Sequence, residues 1–171
     1  MPACTVDERS TNKSLDMELI DLITPNCVIP RMRATSKKQA LQELARKGAD
    51  ISGLEQREIF DVLLERERLG TTGVGSGIAI PHGKHDGLKG LVGVFARAEK
   101  PVDFDAVDGA PVDLMFLLLA PRSAGADHLK ALARISRALR DQTICTKLRG
   151  CGDADAIFAV LAASASTSNA A

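Results

Sequence analysis

The segment Gly70-Thr-Thr-Gly-Val-Gly-Ser-Gly77 places four glycines within eight residues. Each glycine costs a helix about 1 kcal/mol relative to alanine, so this stretch cannot be a packed helix and is read as a glycine-rich loop. Helical spacing precedes it. Ser36 can cap a helix with Ala40, Leu41, Leu44 and Ala45 on one face, and Gly48 suits its end. A second helix is predicted over 55–66, with Ile59, Val62, Leu63 and Arg66 at helical intervals. Short apolar runs follow the glycines, at 78–81, 91–98 and 112–120. Their length and Gly/Pro boundaries predict strands, at least one of them buried on both faces. A third helix follows Ser-Ala-Gly-Ala, with Asp127 as its N-cap and Leu129, Leu132, Ile135 or Ser136, and Leu139 along one side. Two shorter helices fit 143–148 and 153–161. Helices and strands that alternate around a buried strand predict an α/β layered domain.

The chain has 171 residues. At this length it can bury roughly two-thirds of its unfolded surface, enough for one core without disulfides or metal. Residues 1–16 are polar and aperiodic and are expected to be a disordered extension. The low-complexity residues 163–171 are expected to be a loose tail, which leaves 17–162 as the folded unit. Met17 opens the first apolar stretch and is an alternative start.

Lys and Arg number 22 and Asp and Glu number 22, so the formal net charge is zero. A duplex binder needs a basic surplus to displace counterions, and none is present. Five Phe, no Tyr and no Trp leave no stacking platform for single strands or sugars. Nucleic acid is therefore not an expected partner. The run 114–120 is far shorter than the roughly 20 residues that span a bilayer, so no membrane insertion is expected. The N-terminus lacks the basic and apolar regions of a signal peptide. Cys4, Cys27, Cys145 and Cys151 show no paired spacing, as expected for reduced thiols in a cytoplasmic protein.

The densest concentration of chemistry runs from Arg66 through the glycines to Ile78-Ala-Ile-Pro81-His82-Gly83-Lys84. Pro81 belongs at a strand end and holds Ile80 extended, while Gly83 leaves space beside the imidazole. His82 is thereby offered at a strand terminus to a large approaching group. The glycines match neither GxGxxG opening a helix nor GxxxxGK[ST], so dinucleotide and P-loop nucleotide binding are not supported. His82, His85 and His128 lack the helix-borne HExxH pattern, and a metal-dependent hydrolase is the weaker rival. His85 lies in a polar loop and is expected to be solvated.

His128, in the first turn of the third helix, should be a neutral ring near a helix end that attracts anions. Arg66 closes the second helix, where a cation is favourable, and its fork could clamp a phosphoryl oxygen. Thr71, Thr72 and Ser76 offer hydroxyls, although turn chemistry accounts for each singly. Lys130, Arg134 and Arg137 form a solvated helix stripe. Asp103, Asp105, Asp108 and Asp113 form an acidic segment that is either plain loop or docking rim.

The residues Gly75-Ser-Gly-Ile-Ala-Ile-Pro-His-Gly-Lys84 resemble the phosphohistidine signature of the IIA components of the bacterial phosphoenolpyruvate:sugar phosphotransferase system, fructose/mannitol class. Within that class the nearest likeness is to the nitrogen-related IIA proteins. The resemblance continues through Gly93-Val-Phe95, through 101–121 and at His128-Leu129, and it spans roughly 17–160. It implies a single domain with a mixed β-sheet flanked by helices. It also implies a stoichiometric phosphotransferase component that needs no cofactor and no metal. His82 would be phosphorylated by the small histidine phosphocarrier protein, Arg66 would steady the phosphoryl group, and His128 would be the second active-site histidine. Thr72 and Ser76 fall in the matching loop as phosphoryl-binding support. A stand-alone chain of this type resembles a nitrogen- or potassium-related regulator, with regulatory target proteins as further partners. Sugar-uptake carrier and non-catalytic interaction module are the alternatives.

Overall fold

The computed structural model describes residues 17–168. The fold is organised around β6 (Val112–Ala120), whose side chains are buried at eight of nine positions. Successive strand residues point to opposite faces, so such a strand needs cover on both sides. Met115, Leu117 and Leu119 enter one apolar cluster, and Leu114, Phe116 and Leu118 enter another.

Among the described residues six strands form one mixed sheet in the order β1-β5-β6-β3-β2, with β4 also paired to β6. The antiparallel neighbour of β6 is β5 (Val92–Val102), in the register Val94↔Leu117 and Phe95↔Phe116. At the sheet edge lies β1 (Val28–Met32), parallel to β5. The sequence patterns did not indicate β1. Pro30 interrupts its apolar run, and proline is tolerated there because the strand is an edge. On the other side of β6 lie β3 (Ile78–Ala79) and β4 (His82–Lys84), both parallel to it. β2 (Gly73–Gly75) folds back antiparallel on β3.

One face of the sheet is covered by α2 (Lys37–Ser52) and α3 (Gln56–Arg68). The other is covered by α1 (Leu19–Leu22), α4 (Gly125–Arg140), α5 (Gln142–Gly150) and α6 (Ala154–Ser168). The result is a mixed α/β domain of three layers.

Several local expectations are corrected. Ser36 caps α2 as predicted, its hydroxyl accepting from the Gln39 N–H at 3.2 Å. Gly48, however, is interior to the helix, where a Cβ would meet Leu119 at 3.4 Å and Leu117 at 3.5 Å. The helix ends instead at Gly53, whose φ of 78° is the left-handed C-cap. The predicted strand 78–81 is cut to β3, because Pro81 has no N–H to give β6 and keeps only its carbonyl bond to the Leu118 N–H, and a separate strand, β4, begins at His82.

Asp127 is not the N-cap of α4. The Ala124 carbonyl already accepts from the His128 N–H at 2.8 Å, so the helix starts earlier and Asp127 only lends charge to its first turn. The buried face of α4 is His128, Ala131, Ile135 and Leu139, whereas Leu129 is 68% exposed. α6 continues to Ser168, through residues assigned by composition to a tail. Their alanines favour helix as strongly as any residue does. The expectations for residues 1–16 and 169–171 lie outside the described residues.

Candidate functional site

The site is assembled where the end of α3, the start of β4 and the first turn of α4 meet. Pro81 starts the local geometry. Its carbonyl accepts from the Leu118 N–H of β6 at 3.0 Å, while Ile80 before it faces the other way and donates its N–H to the Thr72 carbonyl at 3.0 Å. The Ile80 carbonyl lies 2.9 Å from His82 Nδ1. A carbonyl only accepts, so Nδ1 carries the proton, and Nε2 of the neutral ring is left with its lone pair. Arg66 Nε donates to that Nε2 at 3.3 Å, and Arg66 Nη1 donates to the Gly70 carbonyl at 3.0 Å.

The His82 pKa is lowered from the ordinary histidine value chiefly by burial. The Ile80 bond opposes that shift, the Arg66 charge adds to it, and the Glu67 charge opposes it. The ring is therefore neutral, half-buried and oriented, with its basic nitrogen beside a guanidinium.

His128 is 6% exposed, with its ring centroid 5.6 Å from that of His82 and the planes tilted by 55°. Its pKa is lowered by burial first, then by His82 and Lys84. Its Nε2 is buried without a hydrogen-bond partner among the described residues. An unpaired buried polar atom costs about 1–3 kcal/mol, so one left beside a second imidazole points to an external acceptor or donor.

The structure thus brings Arg66 and His128 to His82. Thr72 is placed differently. It is 4% exposed, its N–H donates to both Glu67 carboxylate oxygens at 3.2 Å, and its hydroxyl donates to Glu67 Oε1. Its link to His82 runs through its backbone carbonyl and Ile80. Ser76, at φ 57°, donates its N–H to Asp108 Oδ2 at 2.9 Å and accepts at its carbonyl from Arg149 Nη2 at 3.0 Å. Those bonds lead away from His82, to the 103–113 segment and α5.

The acidic segment is thereby given structural partners. Asp108 holds Ser76, and Asp113 forms a two-pronged pair with Arg149 at 2.7 and 2.9 Å. His85 is not merely solvated, since its Nδ1 accepts from the Gly87 N–H at 2.9 Å and its Nε2 lies 3.8 Å from Glu58. Among the described residues no three His, Cys, Asp or Glu side chains converge on a point that could hold a metal ion. A cavity of about 350 Å³ between β2, α4 and α5 is lined by Ser76, Ile78, Cys145 and Arg149 among others, and by none of His82, Arg66 and His128.

Sequence patterns missed Glu67. Its side chain is 5% exposed and bonds Lys37 Nζ at 2.7 Å. A carboxylate in the last turn of a helix opposes the helix dipole, and that placement between Arg66 and Arg68 was the available signal.

Residues 21–164 match the family described as phosphoenolpyruvate-dependent sugar phosphotransferase system, EIIA 2. The nitrogen regulatory protein of Bradyrhizobium diazoefficiens is 59% identical over 146 residues, covering 85% of this chain and 95% of that protein. The crystal structure of nitrogen regulatory protein IIA-Ntr from Neisseria meningitidis superposes with a TM-score of 0.79 at 36% identity, covering 83% of this chain and 97% of that one. The IIA mannitol structure from Escherichia coli, at 20% identity and a TM-score of 0.70 over 81% of this chain and 98% of that one, shares the fold.

Proposed function

The chain belongs to the EIIA 2 family of the phosphoenolpyruvate-dependent sugar phosphotransferase system, and on that premise we propose that it is a reversible phosphohistidine carrier. His82 accepts the phosphoryl group from the small histidine phosphocarrier protein, and the phosphorylation state is read by regulatory targets in nitrogen- or potassium-related control. The observation that carries this reading is the pair of bonds on one ring, Nδ1 to the Ile80 carbonyl and Nε2 to Arg66. A neutral imidazole with a committed Nδ1–H is a nucleophile at Nε2 alone.

In the transfer step the Nε2 lone pair attacks phosphorus in line. A new N–P bond forms as the donor's N–P bond breaks, and the donor imidazole keeps that electron pair. No proton leaves Nε2, because it holds none. Phosphoryl transfer demands positioning and stabilisation of spread negative charge more than covalent assistance. Arg66 passes from Nε2 to a phosphoryl oxygen as phosphorus takes its place, while its Gly70 bond keeps the guanidinium near. His128 Nε2, protonated as the neutral tautomer, gains the acceptor it lacks by donating to a second phosphoryl oxygen.

A protein donor suits the surroundings. Leu69, Val107 and Leu129 are 85%, 79% and 68% exposed. Leu69 lies three residues after Arg66, Leu129 directly follows His128, and Val107 is bonded through its N–H to Gly73 of the glycine-rich segment. Exposed apolar side chains beside a site favour a macromolecular partner. The regulatory part of the reading is supported by the names of the relatives. The same reading places the chain in the cytoplasm with its donor. Among the described residues no helix is long and apolar enough to cross a membrane.

The test is incubation with phosphoenolpyruvate, the first enzyme of the relay and the small carrier. The expected product carries one acid-labile, alkali-stable label, absent from His82→Ala. Equal labelling of that variant would overturn the assignment.

A further inference from the structure

Two charges in this fold sit against their helix dipoles. Lys37 is the first residue of α2, where a cation is disfavoured, and Glu67 lies in the last turn of α3, where an anion is disfavoured. Neither placement helps its own helix. The two meet at 2.7 Å, with Glu67 almost wholly buried. Lys37 Nζ also lies 4.9 Å from the Phe104 ring centroid and 3.7 Å from Asp105, so it is held on several sides.

Glu67 spends its remaining acceptor capacity on Thr72, through the backbone N–H and the hydroxyl. The Thr72 carbonyl holds the Ile80 N–H, and the Ile80 carbonyl holds His82 Nδ1–H. The chain Lys37–Glu67–Thr72–Ile80–His82 is therefore continuous from α2 to the acceptor ring.

We propose that Glu67, locked by Lys37, is the positioning residue that fixes the His82 tautomer and keeps Arg66 free for the phosphoryl group. The inference rests on the reading of His82 as the acceptor. Two effects follow from the geometry. The first is register. Ile80 presents its backbone to the Thr72 side and not to β6, so Thr72 decides where the Ile80 carbonyl points, and Glu67 decides where Thr72 sits. The second is sequestration. Glu67 adjoins Arg66 in sequence, and a free carboxylate there would compete with the phosphoryl oxygens for the guanidinium. Lys37 and Thr72 turn that carboxylate away.

The test uses the full chain with Glu67→Met, which removes both acceptor oxygens at similar volume, and Glu67→Gln, which keeps one. Long-range ¹H–¹⁵N spectra of the histidine rings report the His82 tautomer, and single-turnover labelling reports transfer. Glu67→Met is expected to populate both His82 tautomers and to slow transfer about tenfold, the size of one lost positioning hydrogen bond. Glu67→Gln is expected to restore the Nδ1–H tautomer and most of the rate. If Glu67→Met does not fold because Lys37 is left unpaired, Lys37→Met combined with Glu67→Met removes both charges, and the same two readouts decide. A folded variant lacking the carboxylate that keeps the single tautomer and the full rate overturns the proposal, and so does a Glu67→Gln that remains as impaired as Glu67→Met. Failure of the acceptor reading is separate, since it would appear as label on His82→Ala while the tautomer spectra still judged Glu67.

Discussion

The two halves of the glycine-rich segment share a composition but not a destination. In 70–73 two anchors lead toward the imidazole, since Gly70 holds Arg66 and Thr72 connects Glu67 to Ile80. Thr71 and Gly73 brace the loop against the Phe104 carbonyl at 2.8 Å and the Val107 N–H at 3.1 Å. In 74–77 the anchors lead away, with Ser76 tied to Asp108 and Arg149, and the Gly77 carbonyl accepting from the Asp113 and Leu114 N–H groups. Glycine content marks where backbone can turn closely, and the partners outside the loop determine which turn serves the chemistry. The front half is accordingly expected to control transfer, and the rear half only stability.

The strongest way to break this contrast is Arg66→Ala. Loss of a charge-assisted bond of about 1.5–3 kcal/mol predicts transfer slower by roughly 10- to 100-fold in rapid-quench labelling. The same variant should titrate His82 at higher pH than the wild type, because the guanidinium pushes that pKa down. An unchanged rate would reduce Arg66 to helix-end compensation. Next comes Gly83→Ala. A Cβ there would lie 2.3 Å from Val62 Cγ1 on α3, and a β-branched side chain in a helix has little rotamer freedom to yield. Overpacking of about 1–3 kcal/mol is expected in denaturant unfolding, with slower labelling because His82 adjoins the displaced residue. Wild-type behaviour in both assays would mean that β4 and α3 separate freely.

In the rear half the effects should fall on folding alone. Gly77 has φ 81°, a conformation that costs another residue about 1–2 kcal/mol, so Gly77→Ala should lower the unfolding midpoint and leave the labelling rate intact. Arg149→Met removes a two-pronged, partly exposed pair with Asp113 together with the bond to the Ser76 carbonyl and should cost about 1 kcal/mol, again with normal transfer. A tenfold slower transfer in either rear variant would erase the distinction between the halves.

The pH dependence carries a definite sign. Both His82 and His128 have folded-state pKa values below the ordinary histidine value of about 6.5. The unfolded chain takes up protons first as pH falls, so stability from these rings is complete above that value. It declines as pH drops through it, until the folded rings also protonate. Replacing both histidines with Asn should flatten that part of the stability-against-pH curve.

Much of this was legible in residues that interact locally. The Ser36 cap, the buried strand at 112–120 and the Pro81–His82–Gly83 setting are short-range patterns with direct physical causes. His128 and Arg66 could be named, but only the fold shows that they converge on one ring. What escaped the sequence depends on tertiary context. Gly48 looked like a terminator, yet it allows α2 to pack closely on Leu117 and Leu119. Leu129 reads as core because it is apolar at helical spacing from Leu132, whereas the face turned to the sheet also contains His128 and Ala131, which hydropathy does not favour. Glu67 carried the least signal. Its role depends on a lysine thirty positions earlier in the chain and a hydroxyl five positions later, and no helical or strand period relates them.

The central claim is that Nε2 of His82 receives the phosphoryl group while Nδ1 keeps its proton for Ile80. Combined ³¹P and long-range ¹H–¹⁵N spectra of the phosphorylated chain test it most directly. The expected result is phosphorus coupled to Nε2 of His82, with the Nδ1–H resonance retained. Phosphorus on Nδ1, or on any residue other than His82, would contradict it.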